Sequence, residues 1–130
     1  MVISNQAAQT IRVFVYGSLK EGFGNHSLLK DQKLLGTDTV TGKHRMVSLG
    51  WFPGVVKVDD DDTEGAIHGE LYEVDAEALD SLDVLEGHPT FYKREKVRTD
   101  TAGRKAWIYY LQDSSENYPA VEDGVWRKAQ

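Results

Sequence analysis

The chain has 130 residues, 40% of them hydrophobic and 28% charged, which suits one soluble domain with its own core rather than a disordered chain. Fifteen basic residues against 21 acidic ones leave a net charge of −6, which disfavours nucleic acid and anionic membrane as partners. There is no cysteine, so disulfide scaffolds, thiol catalysis and cysteine-held zinc are excluded, and a cytoplasmic location is expected.

Residues 1–10 are polar and uncharged, with no basic start and no apolar run. They read as a loose arm rather than a signal peptide, ahead of a single domain over 11–130. No stretch approaches the roughly 18 apolar residues of a membrane span. Residues 11–16, β-branched and aromatic, predict a buried strand that stops at Gly17 and Ser18. Asn25 is placed to cap a short helix carrying Leu28 and Leu29. Residues 33–49 are rich in Thr and Val and predict two strands or one long bent one. Residues 51–54 read as a turn with aromatic cover, 55–58 as a short strand, and 59–64 as an acidic loop. Residues 67–74 predict a strand in which Gly69 marks a bulge or a close backbone approach.

Asp75 is the expected N-cap of a helix with Leu79, Leu82 and Leu85 on one stripe, ended by Gly87 and Pro89. Residues 92–99 and 106–111 predict a hairpin around Ala102 and Gly103. The tail, with Tyr118, Pro119 and Trp126, reads as irregular cover. Strands do not alternate with helices, so a doubly wound sheet is disfavoured. The expected class is α+β, built on a curled sheet or small mixed β-barrel with flanking short helices.

Several chemical signals fail on spacing. Gly22 and Gly24 begin like a dinucleotide fingerprint but lack its third glycine. Asp59, Asp61, Thr63 and Glu70 fall at calcium-loop positions, yet Glu64 stands where the sharp-turn glycine belongs. His26, His44, His68 and His88 form no pair at ligand spacing on one helix face, so no metal or cofactor is expected. Ser18 lacks the glycine two residues before it that a nucleophile elbow requires, since Tyr16 stands there.

Two features survive. At Tyr16, Gly17, Ser18 and Leu19 a glycine lets the backbone turn sharply, and successive free N–H groups there can hold a carboxylate or an oxyanion. The same residues equally make a plain strand-ending turn. Glu86 closes the predicted helix, facing the negative end of its dipole, with Asp83 one turn back and Leu85, Phe91 and Tyr92 as apolar neighbours. All three effects raise a carboxyl pKa toward the value a general acid/base needs. The alternative is an exposed glutamate of ordinary pKa.

Together these segments resemble the γ-glutamylcyclotransferase-like superfamily, in particular its AIG2-like, γ-glutamylamine cyclotransferase branch. Val13-Phe14-Val15-Tyr16-Gly17-Ser18-Leu19-Lys20-Glu21-Gly22 with Asn25-His26 is similar to the opening signature. Leu82-Asp83-Val84-Leu85-Glu86-Gly87 with Pro89 and Tyr92-Lys93-Arg94 is similar to the second. The resemblance implies a small mixed β-barrel and a reaction that frees an amine from a γ-glutamyl amide as the glutamyl part closes to 5-oxoproline. It implies Glu86 as the catalytic acid/base. It also implies Tyr16, Gly17, Ser18 and Leu19 as the substrate loop, with Tyr92 as a cavity wall, and no cofactor. Ser18 stands where γ-glutamylamine enzymes often carry threonine. The expected partner is a small γ-glutamyl amide, and a monomer is compatible with the sequence. A non-catalytic small-ligand module on the same scaffold is the alternative function. A protein-interaction role for Tyr118 and Trp126 is less economical than packing of the tail.

Overall fold

In the computed structural model, residues 11–127 are described except 18, 21, 23 and 59–65, so the arm at 1–10 and the acidic loop lie outside the described residues. Among these, the strands are β1 (Ile11–Val15), β2 (Lys33–Thr41), β3 (His44–Ser48), β4 (Pro53–Lys57), β5 (Ala66–Val74), β6 (Tyr92–Arg98) and β7 (Lys105–Leu111). The helix α1 (Ala76–Glu86) lies between β5 and β6, and a 3₁₀ turn (His26–Leu29) precedes β2.

β1 is the most apolar strand because it is covered on both faces. Val13 and Val15 join one core cluster with Leu79, Leu82, Tyr92 and Tyr109. Phe14 and Tyr16 join the other with Val40, Ile67, Ile108 and Tyr110. The strand sits at the middle of a five-strand sheet ordered β2-β5-β1-β7-β6, and β3-β4 forms a separate hairpin. β1 runs antiparallel to β5, pairing Val13 with Tyr72, and parallel to β7, where Val13 meets Trp107. The β6-β7 hairpin turns at Gly103, whose φ of 67° lies in the left-handed region.

The α+β class expected from the sequence holds, and the stretch 33–49 forms two strands. No ladder joins the edge strands β2 and β6 among the described residues, so a barrel is not closed by backbone pairing. One backbone bond, Asp100 N–H to Thr39 O (2.9 Å), and several side-chain bonds span the gap instead. The Asp38 carboxylate, buried on β2, accepts the N–H groups of Thr39 (2.8 Å), Thr101 (2.7 Å) and Ala102 (3.1 Å). Burial opposes its ionisation, but these amides hold its pKa below the usual carboxylate value. Asp100 in turn accepts the hydroxyls of Thr39 (2.6 Å) and Thr41 (3.0 Å).

Local details refine the sequence reading. Asn25 precedes a 3₁₀ turn and makes no side-chain cap to it. Pro53 and Gly54 belong to β4 rather than to the turn before it. Gly69 marks a close approach, since a Cβ there would collide with the Val15 carbonyl oxygen and come within 2.7 Å of Phe14 Cζ. The bulge lies on the partner strand, between Leu34 and Gly36. The tail is more regular than expected. Ser48 N–H donates to Pro119 O (2.9 Å), Val121 N–H to Met46 O (2.8 Å), and Ala120 bridges to Val47.

Asp38→Ala strips the partner from two amides of the hairpin turn. It should cost about 3 kcal/mol in urea denaturation, against well under 1 kcal/mol for Asp100→Ala in its exposed position. Equal losses would show that Asp38 does not fasten the turn.

Candidate active site

Asp75 starts α1 by accepting the Ala78 N–H at 2.7 Å. Gly87 stops it with φ of 65°, its N–H turned back to the carbonyls of Asp83 and Val84. Leu79 and Leu82 are buried against the sheet. The stripe therefore fixes the rotation of the helix, and Glu86, its last residue, faces a cavity of about 370 Å³.

The same cavity is lined by Tyr16, Gly17 and Leu19 from the turn after β1, and by Tyr92 from the start of β6. The sequence-predicted residues Glu86, Tyr16, Gly17, Leu19 and Tyr92 thus converge on one space. Ser18 lies outside the described residues. Lys20 N–H donates to Gly17 O (3.0 Å) and closes the turn. Gly17 is required there by contact, because a Cβ would sit 2.8 Å from Pro53 Cγ.

Hydrogen bonds hold the walls. The Tyr16 hydroxyl donates to Tyr109 O (2.7 Å) and accepts Val55 N–H (3.2 Å), joining the end of β1 to β7 and β4. The Tyr92 hydroxyl donates to Pro53 O (2.6 Å). Burial pushes the Tyr16, Tyr92 and Tyr109 phenols up, so all three are neutral at physiological pH.

Burial raises the Glu86 carboxyl from 4.5 to about 7. The sequence reading also invoked repulsion from Asp83, and here the structure differs. Asp83 is already paired: Arg94 Nε (2.7 Å) and Nη2 (3.1 Å) and the Tyr109 hydroxyl (2.6 Å) all donate to it. Burial opposes its charge, yet those donors hold its pKa below the usual value. Asp83 therefore ties the last turn of α1 to β6 and β7. It is the proximity of apolar surface that shifts Glu86. A carboxyl near 7 is half ionised at neutral pH and can both take and return a proton.

Tyr109, Trp51, Phe52 and Asn25 also line the cavity and were not predicted as site residues. Tyr109 is 93 positions from its partner Tyr16, and no local pattern marks it. Trp51 and Phe52 were legible only as aromatic cover on a turn.

The family model described as "Gamma-glutamyl cyclotransferase, AIG2-like" matches residues 13–128. This chain belongs to that family. It is 34% identical over 116 residues to the gamma-glutamylcyclotransferase family protein YtfP of Escherichia coli K12, covering 89% of this chain and 96% of that protein. An uncharacterized protein from Pyrococcus horikoshii superposes with a TM-score of 0.74 at 28% identity, covering 88% of each chain. A mouse AIG2-like protein shares the fold, with a TM-score of 0.75 at 22% identity over 88% of this chain and 87% of that one. The cyclotransferase-family match covers both segments that carry the cavity. Among the described residues no helix is long and apolar enough to cross a membrane.

A raised carboxyl pKa is a stability cost with a definite sign. The folded state binds the Glu86 proton more tightly than the unfolded chain. The stabilisation is complete below about 4.5 and is lost as pH rises through about 7. Glu86→Gln should therefore be more stable than the native chain at pH 8, by up to about 3 kcal/mol. The gap should shrink on titration from pH 7 to 4.5, read by urea denaturation at each pH. A gap independent of pH would mean that Glu86 has an ordinary pKa.

Proposed function

We propose that the protein is a γ-glutamylamine-type cyclotransferase, which converts a γ-glutamyl amide to 5-oxoproline and a free amine. The observation that carries this reading is the buried Glu86 carboxyl, pushed up to about 7, facing the cavity that Gly17 and Leu19 also line. The substrate's α-nitrogen attacks its own γ-carbonyl carbon. A ring C–N bond forms and the amide C–N bond breaks. The attacking nitrogen, initially an ammonium, gives up two protons in all, and the departing nitrogen takes two and leaves as an ammonium ion. Glu86 carries them in turn, as base and then as acid.

Both reacting groups belong to one molecule, so the protein's task is to fold the substrate into the attacking shape. The Gly17–Leu19 amides are assigned to the glutamyl carboxylate or the developing oxyanion. Tyr16 and Tyr92 wall the cavity. The chemistry calls for no nucleophilic side chain, and we assign no cofactor. The absence of cysteine is in keeping with a cytosolic compartment.

Glu86→Gln keeps the shape of the side chain and removes the proton carrier. Release of 5-oxoproline from a panel of γ-glutamyl amides should fall by roughly 10²–10⁴-fold, with the far-ultraviolet spectrum unchanged. Near-native turnover would exclude Glu86 from the reaction. Retained ligand binding with no turnover by the native chain would favour a binding module.

In the native enzyme kcat/KM should rise with pH through an apparent pKa near 7. Glu86→Gln should lose that limb, and a flat native profile between pH 5.5 and 8 would contradict the assignment.

A further inference from the structure

The outer part of the cavity is apolar and open. Trp51 is 86% exposed, Phe91 43%, Leu85 41% and Phe52 36%, and all four line the same space as Glu86. Isolated exposed apolar side chains need no explanation, but a contiguous set around a cavity marks a binding surface. The rings are in register with one another. Phe52 meets Phe91 edge to face at 6.0 Å between centroids, and Phe91 meets Tyr92 at 4.9 Å. An aromatic wall therefore runs from the solvent edge at Phe52 to the tyrosine beside Glu86.

Charge limits what can lie along this wall. Among the described lining residues, Glu86 is the sole Asp, Glu, Lys, Arg or His. Among the described lining residues, a second ammonium group on the leaving amine finds no carboxylate except Glu86, and a carboxylate on the leaving amine finds no cation. Either charge would lose solvent on entry and gain no partner.

We propose that the preferred substrates are γ-glutamyl amides of uncharged alkyl or aryl amines, whose hydrocarbon part lies against Trp51, Phe52, Leu85 and Phe91. This rests on the cyclotransferase reading above. In this pose the wall touches the leaving group's hydrocarbon and not the reacting carbonyl, so its contacts act equally on bound substrate and transition state and appear in KM rather than kcat.

Three substrates separate the possibilities: γ-glutamyl methylamide, γ-glutamyl n-hexylamide, and the 6-aminohexyl amide of the same length with a terminal ammonium. Their leaving amines are of similar basicity, so differences report the wall. For the hexylamide, KM should be at least about tenfold below that for the methylamide, and kcat/KM at least about tenfold above that for the aminohexyl amide. Trp51→Ala and Phe91→Ala should each cut the hexyl-to-methyl preference by threefold or more. Trp51 is exposed enough for its truncation to leave the fold intact, which circular dichroism checks. Equal or faster turnover of the aminohexyl amide would overturn this inference alone. So would an unchanged preference in both variants. No 5-oxoproline from any of the three would overturn the cyclotransferase reading and this inference with it.

Discussion

Asp83 is the fastening on which the site depends. It lies in the last turn of α1, and its two carboxylate oxygens take Arg94 from β6 and the Tyr109 hydroxyl from β7. A helix end is ordinarily the part that frays, because its last carbonyls lack partners. Here it is pinned from the sheet side by a bidentate charge pair, and from the chain side by the left-handed Gly87. Glu86 stands between these two constraints. Arg94 is further steadied by the Trp107 ring, 4.3 Å from its guanidinium carbon. Adjacent carboxyls on one helix turn thus have opposite environments. Asp83 has donors and stays ionised, whereas Glu86 has apolar walls and is pushed up to about 7.

That contrast explains why the molecule tolerates a carboxyl in a poor place. Ionising Glu86 inside the cavity destabilises the fold near neutrality, and the same displacement makes the group useful for proton transfer. The cost is borne by a scaffold whose strongest elements lie nearby. β1 and β7 are buried on both faces, and Tyr16 locks them to β4 through two hydrogen bonds. The cavity is built where these strands end, so its floor is buried while its outer wall of Trp51, Phe52 and Phe91 stays exposed.

The opposite side of the sheet is completed by different means. β2 and the β6-β7 turn come together without a ladder, through Asp38 and Asp100. Side-chain closure of this kind satisfies the amides of a tight turn that has no strand partner. The tail supplies a further seam along β3, and the Lys20 ammonium, just after the Gly17 turn, donates to Trp126 O at 2.8 Å.

Local chemistry decided much of this in advance. The period-three leucines, Asp75 and Gly87 delimit α1, and the run ending at Gly17 delimits β1, because capping, helical spacing and turn preference act within a few residues. The pairing of Gly17 with Glu86 was legible only through the resemblance of two separated segments to one family. Three things belonged to tertiary structure alone: the pairing of Asp83 with Arg94 and Tyr109, the arrival of Tyr109 and Trp51 at the cavity, and the edge closure through Asp38. Each joins residues far apart in the chain, and a contact of that kind leaves no periodicity to read. For the same reason the sequence offered three causes for a raised pKa at position 86, namely helix dipole, Asp83 and an apolar wall, but not that the wall alone decides: desolvation is a property of what surrounds a group, and the surroundings exist only once the chain has folded.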